Sequence, residues 1–99
     1  AVHPVIRTHP ETGRKSLFIN RLMTDYILDM ETAESTELLE YLFDHIEQDK
    51  YIYDHTWQPG DLSVWDNRCT HHMAISDYWP DIRSGFRVQL DGAEPPIAA

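Results

Sequence analysis

Apolar and polar positions alternate through VHPVIRTH, residues 2–9, around Val5 and Ile6, and this pattern predicts a strand. The polar stretch HPETGRK that follows carries Pro10 and Gly13. It reads as a hairpin connection into the apolar SLFIN, so the two segments are expected to pair. RLMTDYILDM is apolar with neither period clean, and reads as loop or short helix. Helical spacing is clear only over about residues 33–48. There Leu38, Leu39, Leu42, Phe43 and Ile46 form a single stripe, with Glu40, Asp44 and Glu47 on the solvated side. Thr32 or Ser35 is the expected N-cap, and Glu34 and Glu37 suit the positive end of the helix dipole.

Beyond the helix, KYIYDHTW alternates and is rich in β-formers, so a strand is expected. QPGD has turn chemistry in Pro59 and Gly60, and LSVWDN predicts another strand. SDYWPD reads as a loop and RSGFRVQL as a final strand. DGAEPPIAA, with Pro95 and Pro96, cannot be strand interior. The pattern is mainly β, with one long helix inserted between strands.

Ninety-nine residues make one small domain with a modest core. A composition of 41% hydrophobic and 25% charged residues is that of an ordinary globular chain. The formal charge of −9 argues against nucleic acid or an anionic membrane as a partner, since phosphate binding needs clustered Lys and Arg. No apolar run approaches the ~20 residues of a membrane span, and AVHPVIRTHPETGRK has no signal-peptide core. The lone Cys69 suits a reducing cytoplasm, the expected location. Because the chain opens on AVHPVIR as a strand already under way, a fragment of a longer protein is expected.

Candidate chemistry gathers in WDNRCTHHMAISDYWPDIRSGFR. On a strand, Arg83, Gly85 and Arg87 share one face, while Ser84, Phe86, Val88 and Leu90 share the other. Two guanidinium groups flanking a glycine could clamp a carboxylate, sulfonate or phosphate. The plain alternative is that both arginines pair with surface acids. His71 and His72 face opposite ways if extended, so only one can enter a site. A satisfied structural histidine is the plain alternative to a metal ligand. His9-x-Glu11 nominally matches the close-spaced part of a 2-His-1-carboxylate site, but it falls in the hairpin connection. Cys69 lacks zinc-finger spacing, and there is no Gly-rich phosphate loop or G-x-S-x-G elbow. The residues alone stop at a β-rich domain with a candidate anion clamp near a candidate metal ligand.

Taken together, HPVIRTHPETGRKSLFIN, WQPGDLSVWDNRCTHHMA, DY and RSGFR resemble the carboxy-terminal part of the taurine dioxygenase (TauD/TfdA) family of Fe(II)- and 2-oxoglutarate-dependent oxygenases. The resemblance runs along nearly the whole chain, and it implies that residues 1–99 are the carboxy-terminal portion of one domain. That domain would be part of a double-stranded β-helix (jelly roll) with one inserted α-helix. Set on the family pattern, WDNRCTHHMA puts His72 at the metal position. Arg83, eleven residues on, matches the arginine that grips the distal carboxylate of 2-oxoglutarate. Arg87 matches the arginine that meets an anionic substrate, while Asn67 and Arg68 match the turn presenting His72. Met23 stands where the taurine enzyme lines its substrate pocket with an aromatic side chain, which puts taurine itself in doubt. The family's His-x-Asp pair, which supplies the other two iron ligands, and its 2-oxoglutarate threonine belong upstream of these motifs. HPETG belongs to the downstream pattern, so His9-x-Glu11 is no substitute.

The activity so implied uses Fe(II), 2-oxoglutarate and O2. It oxidatively decarboxylates 2-oxoglutarate to succinate and CO2 and hydroxylates a small anionic organic substrate: a sulfonate, an alkyl sulfate or a carboxylate. With a sulfonate or sulfate, the hydroxylated carbon would collapse to an aldehyde with release of the inorganic anion, a step in sulfur metabolism. Two other readings stand beside it: a non-catalytic anion-binding β-domain, and a structural fragment whose helix stripe docks on the remaining amino-terminal part of the domain. A homo-oligomer is compatible with any of these. With one metal histidine and no residue assigned to the chemical step itself, the 99-residue chain alone is expected to be inactive.

Overall fold

In the computed structural model, residues 1–75, 85–90, 92 and 95–98 are described. Strand β1 (Ile6–Thr8) and strand β2 (Lys15–Leu17) form the expected antiparallel hairpin, with Ile6 opposite Leu17 and Thr8 opposite Lys15. Its loop closes because the His9 amide donates to Arg14 O at 2.8 Å and the Gly13 amide to His9 O at 3.0 Å. Gly13 sits at φ +71°, a conformation glycine adopts without steric cost, so the position fits its residue.

Helix α1 (Thr32–Ile46) supplies the other half of the packing. Leu39 and Phe43, one turn apart, are buried against Ile19, with Val5, Leu17, Ile27, Leu42 and Ile46 around them. Burying each such side chain contributes on the order of 1.5–3 kcal/mol. The helix therefore depends on the hairpin, and the hairpin on the helix. Leu38, expected in the stripe, is 38% exposed. It lies one residue, about 100° around the helix, from the Leu39 row and falls outside the contact.

The expected N-cap is also corrected. The cap position is Glu31, which makes no side-chain cap bond. Ser35 lies fully inside the helix, and its buried Oγ accepts the Ile27 amide at 2.8 Å. RLMTDYILDM forms turns rather than a helix, with Asp29 at φ +60°. Aspartate tolerates that left-handed conformation better than most residues.

Three expected strands have no ladder pairing among the described residues. KYIYDHTW begins with a 3-10 turn, Asp49–Tyr51, and runs on extended without a ladder partner among the described residues. LSVWDN and residues 85–90 also lack ladder pairing there. Alternation gives a segment two faces, but a strand exists only beside a second strand. The QPGD turn is present, with Asp61 N donating to Gln58 O at 3.0 Å and Gly60 at φ +87°. SDYWPD, Arg83 and Ser84 lie outside the described residues. The tail contributes strand β3 (Ile97–Ala98), paired antiparallel to β1, giving the order β2-β1-β3. Pro95 and Pro96 precede that edge strand, consistent with their missing amide donors. The described architecture is thus a small three-stranded sheet packed on one helix. Among the described residues no helix is long and apolar enough to cross a membrane.

Candidate metal-ligand turn and its anchor

The turn that precedes His72 is built around Asp66. Its backbone carbonyl accepts Cys69 N at 3.2 Å, Thr70 N at 3.0 Å and Thr70 Oγ1 at 2.6 Å, which closes residues 66–70 into a compact turn. Its carboxylate is saturated. Oδ1 accepts the Arg68 amide and Nε, each at 2.9 Å, and Oδ2 accepts Arg68 Nη2 at 2.9 Å and His9 Nε2 at 3.0 Å. These donors, Arg68 first and His9 second, hold the Asp66 carboxyl well below the usual carboxylate range. In return the carboxylate raises Arg68 above the ordinary arginine value.

His9 reaches this turn from the hairpin loop. It is 7% exposed, and its Nδ1 accepts the amides of Glu11 and Thr12, both at 3.2 Å. A nitrogen accepting two amide protons carries none of its own, so the ring is the neutral tautomer with its proton on Nε2, aimed at Asp66. A weaker contact runs parallel to it, Arg68 Nη1 to Glu11 Oε1 at 3.7 Å.

His9, Asp66 and Cys69 offer ligand atoms within 4.8 Å of one another, a spacing a metal ion could use. The donor chemistry opposes it. Nε2 has a lone pair only if its proton moves to Nδ1, breaking both loop bonds, and the Arg68 cation already occupies both Asp66 oxygens. The nominal His9-x-Glu11 metal pair fails for the same reason, with Glu11 turned toward Arg68.

His72 is the better ligand candidate. Its ring packs on the Trp65 indole, with centroids 4.8 Å apart, and Trp65 is in turn tied to the turn by Nε1 donating to Asn67 Oδ1 at 2.9 Å. Among the described residues the His72 imidazole makes no hydrogen bond, whereas both ring nitrogens of His9 do. The described residues here thus fit one metal ligand, not three.

Of the other expected site residues, Arg87 and Met23 are not assembled around it among the described residues. Arg87 is exposed, and among the described residues its Nη2 donates only to Gln89 Oε1, at 3.5 Å. A side chain at Gly85 would meet nothing within 4 Å among the described residues. Met23 is 83% exposed in the turn after β2. No hydrogen bond, ion pair or ring contact joins His72, Arg87 and Met23 among the described residues, and Arg83 lies outside them. The anchoring role of His9 leaves no local signal in the sequence, because its partner stands 57 residues away.

The family model described as "Taurine catabolism dioxygenase TauD, TfdA family" matches residues 1–89. A pentalenolactone F synthase from Streptomyces arenae is 49% identical over 71 residues, covering 72% of this chain and 24% of that protein. An (S)-phenoxypropionate/alpha-ketoglutarate-dioxygenase from Sphingobium herbicidovorans is 49% identical over 73 residues, 74% of this chain and 25% of that protein. An alpha-ketoglutarate-dependent sulfonate dioxygenase from Saccharomyces cerevisiae is 31% identical over 96 residues, 95% of this chain and 23% of that protein. The chain therefore spans about a quarter of the length of these curated relatives.

Proposed function

The chain belongs to the taurine catabolism dioxygenase TauD, TfdA family, and on that premise we propose that it forms the carboxy-terminal part of an Fe(II)- and 2-oxoglutarate-dependent oxygenase. The full-length protein hydroxylates a small anionic organic substrate. The observation that carries this reading is the match over residues 1–89, which takes in the His72 turn and both arginines. The imidazole of His72, held on Trp65 and without a hydrogen bond among the described residues, supports it.

In this reading His72 is one of the three protein ligands to iron, and a His-x-Asp pair elsewhere in the full-length protein supplies the other two. The iron, when bound, supplies the oxidising chemistry that converts 2-oxoglutarate to succinate and CO2. The residues of this chain do the holding. Arg83 fixes the distal carboxylate of 2-oxoglutarate through its planar fork, and Arg87 meets the anionic group of the substrate. Met23 lines the substrate side, where an unbranched thioether adapts to more shapes than an aromatic ring. The names of two relatives specify a phenoxypropionate and a sulfonate, both anions at neutral pH, and this supports an anionic substrate without choosing between carboxylate and sulfonate.

The jelly roll belongs to the same proposal. Phe86, Val88 and Leu90 alternate along the chain and stand almost wholly exposed, at 108%, 88% and 94%. An apolar row of that kind suits a strand whose sheet is completed by another part of the protein. A second reading concerns the 99 residues by themselves: with one fitting ligand, the chain alone does not turn over 2-oxoglutarate. The test of the main reading is Fe(II)-dependent succinate release from 2-oxoglutarate by the full-length protein. His72→Ala should abolish it, and undiminished release in that variant would remove His72 from the site.

A further inference from the structure

We propose that His9 is a positioning residue for His72, acting through Asp66 and the turn of residues 65–70. The inference rests on His72 being a metal ligand, as proposed above, and adds how the chain holds it still. His72 follows Thr70 by two residues and lies on the Trp65 ring, so its place is set by the turn. The turn has no regular secondary structure to hold it, and residues 69–75 are exposed. Among the described residues, its one bond to the body of the fold by a buried side chain is His9 Nε2 to Asp66 Oδ2.

His9 is well made for that task. Its Nδ1 is locked by two amides of a hairpin loop whose end strands pack on the helix, so Nε2 points in one direction. The receiving carboxylate is fixed from the other side by Arg68, which leaves Oδ2 little freedom. Groups one step removed from a metal site that orient its ligands commonly change metal affinity by 10–100-fold when lost.

Two substitutions separate this role from simple loop stabilisation. Asparagine places an acceptor near the position of Nδ1 and cannot reach Asp66. Glutamine places a donor near the position of Nε2 and abandons the loop amides. Metal-free full-length protein is titrated with Co(II), read by its visible absorption. His9→Asn should weaken Co(II) binding by roughly tenfold, while His9→Gln stays nearer the wild type. Equal affinity in wild type and His9→Asn, or the reverse order of the two variants, overturns the proposal. His72→Ala runs alongside: if it binds Co(II) like the wild type, the assignment of His72 itself has failed. If His72→Ala loses binding while His9→Asn does not, only the positioning role has failed. Should His9→Asn not fold, as judged by circular dichroism, Asp66→Asn takes its place, and wild-type affinity there overturns the proposal equally.

Discussion

His9 Nε2 stands 3.0 Å from Asp66 Oδ2, a bond that ties the first hairpin of the chain to a turn 57 residues later. With Arg68 on the same carboxylate, it makes Asp66 a depressed acid in the folded state. An unfolded aspartate titrates at about 3.9. The stabilisation from the charged carboxylate is therefore complete above roughly pH 5 and is lost as pH falls through 4 toward the lower folded value. Denaturant midpoints measured from pH 7 to pH 3 should fall steeply at the acid end in the wild type. Asp66→Asn should be less stable at pH 7 and show a shallower acid slope. Parallel curves for the two proteins would mean that Asp66 is not the titrating group.

Arg21 gathers the acidic row of the helix. Its guanidinium donates to Glu47 through Nε and Nη2, both at 2.9 Å, to Glu40 at 2.9 Å and to Asp44 at 3.4 Å, and it lies over the Phe43 ring at 4.9 Å. These contacts raise Arg21 further above its ordinary value and lower Glu47. Arg21→Met keeps much of the packing on Phe43 and leaves three acids on one helix face uncompensated, so it should lower the melting temperature. Because the pairs are exposed, the loss should shrink in 1 M NaCl. A deficit that does not change with salt would assign it to packing rather than charge.

Ser35 is buried in the helix with its hydroxyl on the Ile27 amide. Ser35→Ala removes the acceptor and leaves that amide unpaired, at a cost of about 1–3 kcal/mol. Chemical denaturation should show this, and hydrogen exchange at Ile27 should quicken more than exchange in the hairpin. Phe43→Ala, which opens the centre of the core, should cost more, about 3–5 kcal/mol.

The two arginines should separate kinetically in the full-length protein. If Arg83 holds 2-oxoglutarate as proposed, Arg83→Ala should raise the 2-oxoglutarate requirement sharply, because the distal carboxylate loses a bidentate partner. Arg87→Ala should chiefly raise KM for the anionic substrate. If Arg83→Ala left 2-oxoglutarate binding intact, the cosubstrate would have to be held elsewhere.

What could be read from the sequence was what is decided locally. The hairpin announced itself through alternation and Gly13, and the helix through the Leu39, Leu42, Phe43 and Ile46 spacing. Each rests on neighbours a few residues away. KYIYDHTW, LSVWDN and residues 85–90 carry the same alternation, yet ladder bonds need a second strand, and alternation does not say where that strand is. Ser35 had the right residue type for a cap, but its position one turn before Leu39 buries it in the contact face instead. The acids Glu40, Asp44 and Glu47 could be placed on one face, though nothing local pointed to Arg21 as their partner. For the site, His72 came from motif order, whereas His9 drew attention as a weak metal candidate. Its anchoring role became visible only when folding brought Asp66 beside it.

The central claim is that this chain completes an oxygenase that spends 2-oxoglutarate and O2 together. The most direct measurement follows the full-length protein with Fe(II), 2-oxoglutarate and 18O2, across a panel of sulfonates, alkyl sulfates and carboxylates. The expected result is one 18O atom in each succinate, with succinate release accelerated by a substrate of the panel. Folded, iron-loaded protein that forms no labelled succinate, with or without those substrates, would contradict the claim.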